Sequence, residues 1–127
     1  MSALEPRTFR VTRADLVAYA NASGDQNPIH QDEEVARSVG LPGVIAHGMF
    51  TMALVGRAVE EWAGPGSVVE IGCKFTRPVV VPAGDEGVEV TVAGSRGEPA
   101  DGRAPIALEV TCGGEKVLGA PKAVVRV

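Results

Sequence analysis

Between Gly48 and the breaker Gly64-Pro65-Gly66 lies a run that leaves this chain few ways to fold. Met49, Phe50, Met52, Ala53, Leu54, Val55, Ala58, Val59 and Trp62 give its first three turns almost no polar face. A helix apolar on nearly every side is expected to be buried on most of them, so other parts of the chain must wrap it. Arg57, Glu60 and Glu61 mark where it emerges, and the glycines and proline beyond Ala63 end it. Met49, Phe50 and Met52 are read as core packing, with a substrate-lining role secondary.

The wrapping comes from downstream. Val69, Ile71, Cys73 and Phe75 alternate with Glu70, Gly72, Lys74 and Thr76, which predicts a strand over 69–77 with the first set on one face. Val88, Val90 and Val92 repeat the pattern, then Ile106, Leu108, Val110 and Cys112, then a last run over 115–127. Gly113-Gly114 is a hairpin signal. The polar, glycine-rich stretch 94–102 reads as a longer, mobile connection. With a short strand over 8–11, this makes an antiparallel sheet of about five strands around one long central helix, an α+β domain. Ahead of that helix, Thr12-Arg13-Ala14-Asp15 has the form of a capping box. The helix it opens, with Leu16, Val17 and Ala20 on one side, is expected to run to about Asn21 before Gly24 stops it. A second short helix is expected from near Asp32 to Gly40, and then Leu41-Pro42-Gly43 is a loop.

At 127 residues the chain is read as one domain, 1–127, large enough to bury a core. A net charge of -4 argues against a nucleic-acid binder, which would carry a basic patch. No apolar run reaches the length of a membrane span, and Met1 to Arg7 lacks the apolar core of a signal peptide, so the expected compartment is the cytoplasm. Cys73 and Cys112 fall in phase with core positions and read as small hydrophobes. No Cys/His cluster has the spacing of a zinc site, and no glycine-rich string matches a nucleotide loop; neither metal nor cofactor is expected.

The chemistry concentrates in Ser23-Gly24-Asp25-Gln26-Asn27-Pro28-Ile29-His30 and in Ala46-His47-Gly48-Met49. Gly-Asp-x-Asn-Pro is ordinary turn chemistry, and a lone histidine at a helix entrance is usually structural. The conjunction argues otherwise, because the chain's only two histidines, His30 and His47, flank or follow this one turn. An acid and an imidazole five positions apart on a stiffened turn can converge on one reacting group. The helix opening at Gly48 offers free N–H groups to a developing oxyanion.

These strings, with Phe75-Thr76-Arg77-Pro78-Val79-Val80-Val81-Pro82-Ala83-Gly84-Asp85, resemble the MaoC-like group of hot-dog proteins, most closely R-specific enoyl hydratases and small 3-hydroxyacyl-thioester dehydratase subunits. The resemblance runs from about Phe9 to the C-terminus. It implies a hot-dog fold and reversible hydration of 2-enoyl thioesters, carried by coenzyme A or an acyl carrier protein. It also implies that Asp25 and His30 are the catalytic pair and that Gly48 is the oxyanion donor through its N–H. Asn27, Ala46, His47 and Met49 are expected to border the substrate, Asn27 by shaping the turn or orienting Asp25, and His47 by orienting the loop, with a part in the chemistry as its other reading.

Open strand edges invite pairing with another chain, and the family dimerises edge to edge, so a homodimer or a heterodimer with another hot-dog subunit is expected. Lys74, Arg77, Arg57, Arg96 and Arg103 read singly as solvated surface charge, any of which could meet a carrier's phosphates. A thioesterase, a polyketide-type tailoring dehydratase and a non-catalytic acyl-thioester-binding subunit are the other readings the fold allows.

Overall fold

The computed structural model describes residues 2–127. In chain order the elements are β1 (Ser2–Val11), α1 (Arg13–Ser23), a single 3-10 turn (Pro28–His30), α2 (Glu33–Ser38), α3 (Gly48–Ala63), β2 (Val68–Phe75), β3 (Val88–Arg96), β4 (Arg103–Cys112), β5 (Glu115–Lys116) and β6 (Leu118–Arg126). The antiparallel sheet runs β1-β3-β4-β6-β2, with β5 beside β4. β5 and β6 are one run broken at Val117. The register changes between Thr111↔Lys116 and Ala107↔Lys122, where Ala120 takes a positive φ of 43° and Pro121 can donate no hydrogen bond. The expectation of about five strands and the six elements therefore describe the same sheet.

The α3 helix lies across this sheet with Thr51, Val55, Ala58 and Val59 buried. That spacing is one helical stripe, and burying each valine contributes about 1.5–3 kcal/mol. The sheet answers with Val90, Val92, Ile106, Val110, Ala123 and Val125 in the same core. The indole N–H of Trp62 donates to the Glu5 carbonyl at 2.7 Å and ties the far end of α3 to β1. The expectation that α3 is buried on most sides is corrected. Ala53, Arg57 and Glu60 are exposed, and Met49 is 57% exposed rather than packed in the core. One sheet can cover only one face of a helix, and the residues on the others stay accessible.

Several local expectations agree with the structure. Thr12 and Asp15 form the reciprocal capping box, with the Thr12 N–H 2.9 Å from Asp15 Oδ2, and Gly24 ends α1 in the left-handed region at φ 83°. Other expectations shift. Val17 does not join Leu16 and Ala20 in the core but is 43% exposed, because the buried stripe of α1 is narrower than its apolar sequence. β1 begins at Ser2 rather than Thr8. Pro6 is tolerated there because β1 is an edge strand whose register slips between Leu4 and Arg7. The connection expected over 94–102 is half strand, since Gly94, Ser95 and Arg96 pair with Leu108, Ala107 and Ile106. Gly94 belongs there because a methyl group would press on the Ala107 carbonyl and the Trp62 ring at 3.1 and 3.3 Å.

A polar clamp sets the position of the helical region on the sheet. Arg13 Nε donates to the Val81 carbonyl at 2.9 Å while its Nη2 reaches Glu33 at 3.2 Å, joining α1 and α2 to the segment that follows β2. The lead-in to α3 is held on both sides: Ala46 N–H to Val79 O at 2.9 Å, Val81 N–H to Val44 O at 2.8 Å, and Ile45 N–H to Ile29 O at 3.2 Å.

Candidate active site

The Asp25–His30 turn is built from its own side chains. The Asp25 N–H donates to Ser23 Oγ at 3.1 Å, the Asn27 N–H to Asp25 Oδ1 at 3.2 Å, and the Ile29 N–H to Asn27 Oδ1 at 3.2 Å. Asp25 and Asn27 thus do serve the turn, as their residue types suggest. Asn27 caps the 3-10 turn that carries His30. Gln26 spans from Asn21 to Gln31, accepting from the latter, and closes the outside of the loop.

The imidazoles are buried while the acid is exposed: His30 is 7% and His47 1% accessible, and Asp25 faces solvent. Their rings stack at 3.8 Å with 23° between planes. Tyr19 covers His47 from the other direction at 4.7 Å and meets Phe50 edge-on at 5.4 Å. His30 Nδ1 lies 2.7 Å from the Ile45 carbonyl and His47 Nε2 lies 3.1 Å from the Asp25 carbonyl. A carbonyl only accepts, so each of these nitrogens carries the proton. In the neutral rings this leaves His30 Nε2 and His47 Nδ1 as the basic nitrogens, and His47 Nδ1 is buried without a hydrogen-bond partner.

A carboxylate oxygen of Asp25 and one ring nitrogen from each histidine lie within 4.8 Å of one another. Asp25 and His30 are not joined directly. The interval suits one water, whose two hydrogen bonds span up to about 6 Å. A cation would find three donors of two types here, but near-parallel stacked rings do not aim their lone pairs at a common point, and two ring nitrogens are already committed to carbonyls. No metal is assigned.

Gly48 stands at the amino end of α3. The first helical bonds run from the N–H groups of Phe50 and Thr51 to the His47 carbonyl, at 3.1 and 3.2 Å. The N–H groups of Gly48 and Met49 therefore precede the hydrogen-bonded ladder, at the positive end of the helix dipole. Two cavities meet at this point. One, of about 340 Å³, reaches from His30 along Leu41, Ile45, Val79, Val117 and Leu118, with Ala46 and Thr51 on its wall. The other, of about 560 Å³, is bordered by Tyr19, Ser23, Asp25, His47 and Met49.

The structure thus brings together Asp25, His30, His47, Gly48, Ala46 and Met49, with Asn27 inside the turn and outside the lining of both cavities. Two lining residues escaped the sequence. Tyr19 lies on α1 with no motif around it. Phe75 was placed on the core face of its strand but is 57% exposed at the strand's end, with its ring against Gly48. Arg77 borders the first cavity but is paired with Glu115 at 3.0 Å on the surface. Burial raises the thiols of Cys73 and Cys112 above the ordinary range, the opposite of what a nucleophile needs. Among the described residues no helix is long and apolar enough to cross a membrane.

Residues 2–111 match the family of the MaoC like domain. The chain is 39% identical over 92 residues to 3-hydroxyacyl-thioester dehydratase X of Mycobacterium tuberculosis, an alignment covering 66% of this chain and 32% of that protein. It therefore spans about a third of that relative's length. It is 34% identical over 110 residues to 3-hydroxybutyryl-CoA dehydratase of Methylorubrum extorquens, covering 85% of this chain and 68% of the relative. Among solved structures it resembles R-hydratase PhaJ1 from Pseudomonas aeruginosa, with a TM-score of 0.85, 28% identity, and coverage of 100% of this chain and 81% of that one. With a family model matched over most of its length and a relative 34% identical over 110 residues, the chain belongs to the MaoC-like dehydratase family of hot-dog proteins.

Proposed function

We propose that this protein adds water reversibly across the double bond of 2-enoyl thioesters, giving (3R)-3-hydroxyacyl thioesters. The observation that carries the reading is the gap of at most 4.8 Å between the Asp25 carboxylate and the buried imidazole pair, beside an unused helix N–H. The names of the relatives, two dehydratases of hydroxyacyl thioesters and an R-hydratase, supply the reaction class and the hand.

In this mechanism a water sits between Asp25 and His30 Nε2. As its oxygen bonds to Cβ, the π electrons move to Cα and the thioester becomes an enolate. Its oxygen is held by the Gly48 N–H, where donors fixed in advance act most strongly. The water's proton passes to the Asp25–His30 pair, and the pair returns a proton to Cα, so the enzyme ends as it began. The Ile45 carbonyl fixes the tautomer of His30 that leaves Nε2 free for this work. His47 serves here as a positioning residue. It positions Asp25 through the hydrogen bond to its carbonyl and supports His30 by stacking. Asn27 shapes the turn, while Ala46 and Met49 border the substrate.

The test is hydration of a short 2-enoyl-CoA by the purified protein, with the configuration of the product determined. The (3R) product is expected. Release of free thiol without hydration would instead make the protein a thioesterase, and the absence of any turnover would favour a binding subunit. We also infer that β1 and β2, each unpaired along its outer edge, make the working form a dimer of this chain or with a related subunit. A monomer by sedimentation at working concentration would refute this.

A further inference from the structure

The two cavities at the site share part of their lining. Phe75 and Gly48 border both of them. The Phe75 ring lies so close over Gly48 that a methyl group there would sit 3.0, 3.1 and 3.2 Å from three of its carbons. Glycine at position 48 is therefore what lets the ring approach the helix end. The ring belongs to the last residue of β2, paired with Leu118 and following a register shift between Gly72 and Lys74. It is 57% exposed, so it is not locked by core packing as Val79 and Leu118 are.

Both compartments are mainly apolar, each with a few polar groups. The larger carries Ser23, Tyr19 and Asp25, groups suited to the polar thioester end of a substrate. The smaller leads away from His30 between Leu41, Ile45, Val117 and Leu118, an apolar stretch along which an alkyl chain can lie, with Thr51 and Arg77 on its wall. A substrate whose reacting carbons lie between Asp25 and His30 must pass its chain beneath or beside the Phe75 ring to enter the smaller compartment.

We propose that Phe75 is a partition that sets the acyl-chain length this site accepts, favouring short chains while the ring rests on Gly48. The inference deepens the hydratase reading and rests on it for the identity of the ligand. Phe75→Ala joins the cavities, and Phe75→Leu keeps apolar cover with a smaller, narrower side chain. The ring is an exposed one at a strand end, so both variants should fold. The experiment compares kcat/KM for four-carbon and eight-carbon 2-enoyl-CoA, and in parallel the affinity for the saturated four- and eight-carbon acyl-CoA esters, which cannot react.

In Phe75→Ala the preference for eight carbons over four should rise at least about tenfold in both measurements, the scale on which pocket shape discriminates methylenes, with Phe75→Leu between the extremes. Hydration by the wild type with the same chain-length ratio in all three proteins would overturn the partition and leave the hydratase reading standing. Shifted affinity for the saturated esters in a protein that hydrates neither substrate would support the partition and sink the hydratase reading. If neither saturated ester bound any of the proteins, both would fail.

Discussion

The two segments that meet at the site are held by opposite means. The Ser23–His30 turn is mostly solvent-exposed, and its shape comes from side chains bonding to backbone two residues away. The amino end of α3 is fixed by distant parts of the molecule: Val79 and Val81 clamp its lead-in, and His47 is sealed between His30 and Tyr19. The contrast teaches a division of labour. The turn presents the Asp25 carboxyl to solvent at little conformational cost, while the segment leading into the helix buries His47 against His30 beside it.

This division is broken most severely at its buried side. His47→Ala removes the bond to the Asp25 carbonyl, the stacking partner of His30 and a fully enclosed ring. We expect a loss of about 3 kcal/mol in urea unfolding, the scale of a large-to-small core change that also costs a hydrogen bond. A loss below about 1 kcal/mol would mean the helix end is not the rigid half. Tyr19→Leu tests the outer cover. It keeps apolar bulk but gives up the edge-on contact with Phe50, and should cost about 1 kcal/mol. On the turn, Asn27→Ala loses only the cap on the Ile29 N–H, worth about 0.5 kcal/mol at an exposed position. It should lower activity more than stability, because it loosens the segment between Asp25 and His30. The smallest effect is expected at the cysteines. With both thiols raised by burial, alkylation near neutral pH should be slow in the native protein and rapid after unfolding. The sign for stability follows: the unfolded chain ionises its thiols first, so native stability from this source is full below their ordinary pKa of 9.0 and falls as pH rises past it.

The same contrast explains what the sequence disclosed. The capping box at Thr12 and Asp15, the stop at Gly24, the Gly113-Gly114 hairpin with positive φ at both residues, and the span of α3 are decided within a few positions of the chain, and were legible. So was the placing of Asp25 and His30 together, because the turn is itself a local object, whereas His47 reaches them from the lead-in to α3 by tertiary packing. What could not be read is what tertiary packing decides. Met49 and Val17 are apolar yet exposed, because α3 and α1 each press only one stripe on the rest of the molecule. Gly94 looks like loop but is strand, because Trp62 needs the room. Tyr19 and Phe75 join the site from an unmarked helix and from a strand end, and no spacing in the sequence announces either.

The central claim is that Asp25, aimed by the buried histidine pair, handles the proton of water added to an enoyl thioester. Asp25→Asn isolates it, because asparagine retains the oxygen that accepts from the Asn27 N–H but cannot take up a proton. The most direct measurement is the rate of short-chain 2-enoyl-CoA hydration by wild type and Asp25→Asn, with unfolding curves of both. The account predicts a fall of about two orders of magnitude or more with the unfolding curve nearly unchanged. Normal turnover in the variant would contradict it and leave Asp25 as a turn residue alone.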